Sequence, residues 1–186
     1  MLKVDGISRS YGDLKVVDKL SFTVNEGEFV ALLGPSGCGK STSLKMIAGL
    51  EAPDEGSIEL DGRDITQLSP GDRKLAMVFQ SYALFPHLKV KENILFGLQA
   101  RKVPKDEQKR RLDSVVELVG LSDHLHKKPG QLSGGQCQRV ALARAIVAQA
   151  KLCLMDEPLS NLDAKLRNEM RTEIRALQQR LGMSVI

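Results

Sequence analysis

The fold is decided by the stretch Gly34-Pro35-Ser36-Gly37-Cys38-Gly39-Lys40-Ser41-Thr42. It fits the pattern G-x-x-x-x-G-K-[ST], in which glycines let successive backbone N–H groups curl around phosphate oxygens. The lysine of the pattern neutralises phosphate charge, and the following hydroxyl binds Mg²⁺. We therefore predict a phosphate loop at residues 34–42. The alternative is an ordinary glycine-rich turn that contains a Lys-Ser pair.

The segments before and after the loop have the predicted secondary structure that a phosphate loop requires, a strand and a helix. Phe29 to Leu33 form an apolar run of strand length, and Ser41 to Leu50 have the pattern of a helix. The N-terminus of that helix directs unpaired N–H groups and about +0.5 elementary charge of its dipole towards the phosphates. Strand, loop and helix in this order predict an α/β fold with a parallel sheet.

A second pair of glycines opens another predicted helix, in the stretch Leu132-Ser133-Gly134-Gly135-Gln136. Ser133 and Gln136 form an S-x-x-Q capping box. Gly134 and Gly135 lack the side chains that would keep a phosphate away from the backbone. We predict a second anion site here. A well-capped helix without a ligand is the alternative, because capping boxes are common.

Two adjacent acids, Asp156 and Glu157, follow the apolar run Leu152-Cys153-Leu154-Met155. This run predicts a buried strand, and ligands of α/β sheets bind at the C-terminal ends of strands. Neighbouring residues of a strand point to opposite sides, so Asp156 can serve a Mg²⁺ shell while Glu157 faces an attacking water. The alternative is a surface acid pair at a polar strand end.

In this order and spacing, the three motifs resemble those of the nucleotide-binding subunit of an ABC transporter, and the similarity runs from Met1 to Ile186. By this resemblance, residues 34–42 match Walker A, 132–136 the ABC signature and 152–157 Walker B. Residues 160–163 resemble the D-loop. The implied fold is a P-loop NTPase core with a parallel sheet, an antiparallel β subdomain and an inserted α-helical subdomain.

The resemblance implies a role for each residue of the site. Glu157 would polarise the attacking water and Gln80 would assist it as the Q-loop glutamine. Mg²⁺ would be bound by Ser41, Gln80 and Asp156. Tyr11 would stack on the adenine. The implied ATP-binding residues are Tyr11, Val16, Ser36, Gly37, Cys38, Gly39, Lys40, Ser41, Thr42, Ser133, Gly135 and Gln136.

The segment from Ser81 to His87 resembles importer ATPases of the sugar, glycerol-phosphate and polyamine groups, with the sugar type as the best fit. The implied function is ATP binding and hydrolysis that powers import of a small solute, such as a sugar or glycerol phosphate. His87 is interpreted as an interface residue towards the membrane subunit. The alternatives are an ABC ATPase that acts on DNA or ribosomes, and a nucleotide-binding module without turnover.

The resemblance also implies partners and a location. A homodimer or paired ABC subunit would place each ATP between Walker A of one subunit and the signature of the other. The further partners are integral-membrane permease subunits and, indirectly, a solute-binding protein; no nucleic acid is expected. The chain would lie peripherally on the cytoplasmic side of the membrane. The chain departs from the family pattern at two places. Cys137 follows the signature where the family usually has Arg, Lys or Gln. The switch histidine of the H-loop is missing, so a C-terminally incomplete chain is expected.

Composition agrees with these expectations. The balance of 27 basic and 23 acidic residues gives a net charge of +4, which is too mild to indicate nucleic acid. No apolar stretch approaches the roughly 20 residues that cross a bilayer. Three cysteines without C-x-x-C spacing support neither a disulfide framework nor a zinc site. We expect Cys38 to be the most reactive, since the helix dipole and Lys40 favour its thiolate; the alternative is an inert, packed residue.

The remaining patterns predict the organisation of one domain over residues 1–186, with a helical subdomain at about 88–145 and no regulatory domain. Antiparallel strands are predicted at Leu2 to Ser8, Lys19 to Val24 and Gly56 to Leu60, and parallel core strands at Phe29 to Leu33, Leu75 to Phe79 and Leu152 to Met155. A leucine-rich stripe recurs at helical spacing from Leu162 to Leu181, which favours a core-facing helix over a dimer seam.

Overall fold

The computed structural model describes residues 1–186, which divide into two compact units. The first unit comprises residues 1–77, 151–156 and 176–186. The second comprises residues 78–150 and 157–175. No helix combines the length and the apolar character that crossing a bilayer requires. The predicted division into an ABC domain with a helical subdomain at about 88–145 stays a prediction.

An antiparallel sheet lies in the first unit, with the strand order β2-β1-β3-β4. Its strands are β1 (Leu2–Tyr11), β2 (Leu14–Val24), β3 (Glu55–Leu60) and β4 (Arg63–Asp64). Leu2, Val4 and Ile7 of β1 are buried, and Val4 pairs with the buried Ile58 of β3. The predicted antiparallel part is confirmed, and its first two strands extend to the turn at residues 12–13.

A parallel sheet has the strand order β5-β6-β7. Its strands are β5 (Ala76–Val78), β6 (Leu152–Met155) and β7 (Ser184–Val185). The strand predicted at Leu152 to Met155 is confirmed with the same bounds, and the one predicted at Leu75 to Phe79 loses a residue at each end.

The strand predicted at Phe29 to Leu33 is wrong in extent. Only Phe29 forms a parallel bridge, to Val185, and the Val30 N–H donates to the Val185 carbonyl at 2.9 Å. The next residue of β7's segment, Ile186, bonds to Cys153 and Met155 of β6 instead. No strand is formed by residues 30–33, so the predicted strand is reduced to the bridge at Phe29.

Helix α1 (Lys40–Ala48) follows the phosphate loop, and the short helix α2 (Pro70–Arg73) packs against its C-terminal end. Gly49 ends α1 because it adopts a left-handed conformation with φ of 78°. The predicted helix from Ser41 to Leu50 therefore ends two residues too late.

Arg73 of α2 is 3% exposed and holds that end of α1. Its guanidinium donates to the carbonyls of Met46 at 2.7 Å and Ile47 at 2.9 Å. It also donates to the carbonyls of Thr66 at 2.8 Å and Leu68 at 3.0 Å. Burial lowers the pKa of Arg73, partly offset by the charge of Asp64.

Helices dominate the second unit. They are α3 (Val90–Ala100), α4 (Lys105–Leu118), α5 (Gly134–Val147) and α6 (Ala164–Leu181), of which the last continues into the first unit. Met170, Ile174 and Leu177 of α6 are buried, as predicted for a core-facing stripe. Leu181 is 41% exposed, because it is the last residue of the helix before Gly182. The buried part of the stripe is unavailable for a dimer seam.

Asn93 of α3 fixes the segment that follows Gln80. Its side chain is fully buried. The Asn93 carbonyl oxygen accepts from the Phe85 N–H at 2.8 Å, and its amide nitrogen donates to the carbonyls of Phe85 and Leu88, both at 3.1 Å. An asparagine within an otherwise apolar helical stripe thus serves as a backbone clamp.

Candidate functional site

The phosphate loop ends where α1 begins, at Lys40. The Lys40 ammonium donates to the carbonyls of Gly34 at 2.9 Å and Pro35 at 2.8 Å. It also lies 3.8 Å from the sulfur of Cys38. The ammonium is therefore held at the opening of the loop, directly before the N–H groups of the first turn of α1. Both features attract an anion.

Glycine is required at position 39 by its backbone and by its neighbours. Gly39 has a φ of 92°, in the left-handed region. A Cβ atom there would lie 2.6 Å from the carbonyl oxygen of Val16 and 2.9 Å from Val17. The structure thus brings Val16, one of the predicted binding residues, against the phosphate loop through its main chain.

Ser41 and Asp156, both predicted to bind Mg²⁺, are in contact within the first unit. The Ser41 hydroxyl donates to a carboxylate oxygen of Asp156 at 2.6 Å. Asp156 follows the last residue of β6 and is only 8% exposed. No cluster of three or more His, Cys, Asp or Glu side chains forms a metal cage. One hydroxyl and one carboxylate suit Mg²⁺, which keeps several waters and takes further oxygens from a phosphate.

Tyr11 is the last residue of β1, and the residue is 47% exposed. The Tyr11 hydroxyl donates to a carboxylate oxygen of Glu51, and the Arg9 guanidinium lies 5.2 Å from the ring centroid. The hydrogen bond to Glu51 is the main cause that raises the Tyr11 pKa, while bonds from Arg9 and Thr42 lower it. Thr42 belongs to the phosphate loop, so Tyr11 is anchored beside that loop.

Gln80 and Glu157 lie together in the second unit. The Gln80 amide nitrogen approaches a carboxylate oxygen of Glu157 at 3.4 Å. Mg²⁺ is predicted to bind the carbonyl oxygen of the Gln80 amide, so this contact of the nitrogen with Glu157 leaves that oxygen free. Both side chains are exposed. Glu157 has a φ of 43°, a left-handed conformation that costs a non-glycine residue about 1–3 kcal/mol.

The D-loop segment fixes the backbone of both residues. The Asn161 amide nitrogen donates to the main-chain carbonyl of Gln80 at 2.8 Å. The Ser160 hydroxyl donates to the main-chain carbonyl of Glu157 at 3.0 Å, and the Ser160 N–H donates to the same oxygen at 3.2 Å. These bonds hold Glu157 in its strained conformation. Neither contact was visible in the sequence.

The predicted capping box at the signature is confirmed. The Gln136 N–H donates to the Ser133 hydroxyl at 3.3 Å, and the Ser133 N–H donates to the Gln136 side-chain carbonyl at 3.0 Å. Helix α5 begins directly afterwards, at Gly134. His124, which no sequence pattern singled out, lies 2.9 Å from the Gln136 amide nitrogen through its Nε2 atom.

Gly135 packs closely against helix α6, a contact that the sequence did not predict. It is buried, and a Cβ atom there would lie 3.0 Å from the Leu166 side chain of α6. At Gly134, which is exposed, the nearest atom would belong to Leu162, at 3.4 Å. A side chain at position 135 would therefore crowd the methyl groups of Leu166, whereas an approach of phosphate to the backbone stays a prediction.

The three cysteines occupy different environments. Cys38 is exposed, Cys137 is half-buried with its sulfur 3.7 Å from the Pro129 carbonyl, and Cys153 is buried. Burial raises the pKa of Cys137, and it raises that of Cys153 to about 12. Cys153 lies within the buried strand β6, where its side chain packs as a small apolar residue.

This fold and these motifs define a nucleotide-binding domain of the ABC class, and comparison with known proteins agrees. Residues 17–160 match the family model described as ABC transporter. The chain belongs to the ABC transporter family. The solved structure of CbiO1 from Clostridium perfringens, part of the ABC transporter complex CbiONQ, superposes with a TM-score of 0.87 at 30% identity, covering 100% of this chain and 76% of that one.

Among curated proteins, the chain is similar to import ATP-binding proteins. The sn-glycerol-3-phosphate import protein UgpC of Ruegeria pomeroyi is 52% identical, with 100% of this chain and 53% of that protein covered. The oligosaccharides import protein MsmX of Bacillus subtilis is 51% identical, with coverage of 100% and 51%. The spermidine/putrescine import protein PotA of Pasteurella multocida is 49% identical, with coverage of 100% and 50%. The chain spans about half the length of these relatives.

Proposed function

We propose that this chain binds MgATP and supplies the hydrolytic centre of an importer for a small solute. The observation that carries the proposal is the hydrogen bond from Ser41, at the start of α1, to the buried Asp156 at the end of β6. It joins the Mg²⁺-binding hydroxyl of the phosphate loop to the acid of the Walker B motif, a pairing that P-loop enzymes use for nucleotide hydrolysis.

The residues of the first unit bind the nucleotide. Lys40 exchanges its bonds to the loop carbonyls for bonds to the β- and γ-phosphates, and the first N–H groups of α1 donate to the same oxygens. Tyr11 offers its half-exposed ring to the adenine. Ser41 and Asp156 would hold Mg²⁺, which would supply positive charge to neutralise the charge that develops during transfer. Asp156 accepts a hydrogen bond from the Ser41 hydroxyl at 2.6 Å.

Glu157 and Gln80 orient the attacking water. The carboxylate of Glu157 accepts a proton of that water, while the Gln80 amide is exposed and weakly bonded at 3.4 Å, so its oxygen is free to turn. Because Asp156 and Glu157 are consecutive, one peptide bond links the Mg²⁺ acid to the water-orienting acid. The strained backbone at Glu157 fits a catalytic position, where such strain is common.

Two copies, or a paired subunit, would close on ATP so that Ser133 and the first turn of α5 complete the phosphate site of the partner. Opening after hydrolysis would move permease subunits bound on the cytoplasmic face of the membrane, where the chain would lie peripherally. The similarity to UgpC and MsmX favours a sugar or glycerol phosphate as the solute, taken from a solute-binding protein. The similarity to PotA makes a polyamine the principal competitor.

The proposal is tested by measuring ATP binding and phosphate release for the chain and two variants. Lys40→Ala should abolish ATP binding, because it removes the cation from the phosphate loop. Glu157→Gln should bind ATP within about twofold of the unmodified chain but lose at least 100-fold in turnover, the range of a general base. Binding without turnover in the unmodified chain would instead indicate a nucleotide-binding module. A Glu157→Gln variant that turns over normally would contradict the role of Glu157.

A further inference from the structure

The signature loop is held by hydrogen bonds that connect three residues. The first of these residues, His124, lies outside the motif. Ser133 donates its N–H to the Oε1 atom of Gln136, at 3.0 Å. The Nε2 atom of the same amide lies 2.9 Å from the Nε2 atom of His124. His124 belongs to a short 3-10 turn, Ser122–His124, and is half-buried.

The donors and acceptors along this chain are fixed by the first bond. Because a backbone N–H can only donate, the end of the Gln136 amide that faces Ser133 must be the carbonyl oxygen. The end that faces His124 is then the NH₂ group, also a donor. The Nε2 atom of His124 must therefore accept, which requires a neutral ring with its proton on Nδ1.

The opposite arrangement would undo the capping box. If the His124 proton were on Nε2, either two donors would meet at 2.9 Å or the Gln136 amide would rotate by half a turn. A rotated amide would present its NH₂ group to the Ser133 N–H and break the bond that caps the loop. The tautomer of His124 and the geometry of Ser133 are thus coupled through one amide.

We propose that His124 is a positioning residue of the signature loop, whose Nε2 atom accepts from Gln136 and so orients the amide that caps Ser133. The Nδ1 atom of His124 is buried without a hydrogen-bond partner. With the proton on Nδ1, the Nε2 atom is the ring's only acceptor, and its neighbour is the Gln136 amide. The functional consequence rests on the proposed function, since the capped loop is the part offered to the nucleotide of the partner copy.

The first test reads the tautomer directly and needs no enzymatic activity. Long-range ¹H–¹⁵N correlation spectra of the 186-residue chain report which ring nitrogen of each histidine carries the proton. The expected result for His124 is a protonated Nδ1 and a bare Nε2 atom. A protonated Nε2 atom, or a ring that averages between tautomers, would overturn the proposal.

The second test asks whether the acceptor matters for turnover. In a hydrolysing preparation, His124→Leu should raise the KM for ATP about two- to tenfold, the range of one hydrogen bond, with kcat and monomer ATP affinity little changed. His124→Gln, which supplies an acceptor oxygen at a similar reach, should restore KM to within about twofold. His126→Leu serves as the matched control, because His126 is exposed and lies two residues away.

The two tests separate failure of the inference from failure of the proposed function. A chain without ATP turnover would contradict the function and leave the tautomer measurement to decide about His124. A KM for His124→Leu equal to that of His126→Leu, with both variants folded by circular dichroism, would overturn the positioning role. A His124→Gln variant as impaired as His124→Leu would do the same.

Discussion

Arg73 should be one of the most costly single residues to remove, although it touches no motif. We consider Arg73→Met, which keeps a side chain of similar length without the charge. The guanidinium donates four hydrogen bonds between 2.7 and 3.0 Å, all to main-chain carbonyls, and is 3% exposed. Two of those carbonyls, at Met46 and Ile47, belong to the last turn of α1, where a cation also complements the helix dipole.

The magnitude follows from what each carbonyl loses. A buried polar group left without its partner costs about 1–3 kcal/mol, so four would suggest 4–12 kcal/mol if nothing relaxed. The guanidinium's own desolvation cost disappears with it, and the carbonyls of the α1 terminus can rotate towards water. We therefore expect a net loss of about 3–5 kcal/mol, as for a buried charge stripped of its partner. That corresponds to a fall in Tm of about 6 to 20 °C for a chain of this length.

The assay is urea unfolding followed by circular dichroism, together with amide exchange in the last turn of α1. Arg63→Met is the control, because Arg63 is exposed at the edge strand β4 and should change stability by less than about 0.5 kcal/mol. Arg73→Lys should fall between the two, since an ammonium donates from a single point. A loss below 1 kcal/mol for Arg73→Met, or unchanged exchange at Met46 and Ile47, would refute the reasoning.

Three further predictions concern the site. Gly135→Ala should destabilise the chain by about 1–3 kcal/mol through overpacking on Leu166, and Leu166→Ala in the same chain should recover part of that loss in urea unfolding. Asn161→Ala, which frees the Gln80 carbonyl, should lower kcat about tenfold and leave the Kd for ATP unchanged by equilibrium binding. Brief alkylation followed by mass spectrometry should label Cys38 first and MgATP should protect it; labelling that ignores nucleotide would place Cys38 outside the site.

Much of the fold follows from short-range pattern, and the limits have a physical cause. The strand Leu152–Met155 was predicted with its observed bounds because an apolar run between charged residues leaves little choice of ends. The strand from Phe29 was predicted too long because pairing depends on a neighbour more than 150 residues away in sequence, at Val185. Local apolarity indicates a strand but does not supply its partner.

In the candidate site, too, local contacts were predictable and contacts between distant segments were not. The capping box of Ser133 was predictable because its two members are three residues apart and bond to each other's backbone. The contact between Gly135 and Leu166 was not, since it joins two helices that no pattern aligns. The burial of Arg73 was not predictable either, because nothing in the sequence around it distinguishes a buried arginine from an exposed one.

The segment 160–163 connects the backbones of Glu157 and Gln80, the two residues proposed to orient the attacking water. Ser160 and Asn161 are consecutive, and each bonds to the main-chain carbonyl of one of them, Glu157 or Gln80. A shift of this dipeptide by a fraction of an ångström would lengthen both bonds together, so the backbone strain at Glu157 and the position of the Q-loop change in concert. One contact on the segment 160–163 would therefore act on both groups.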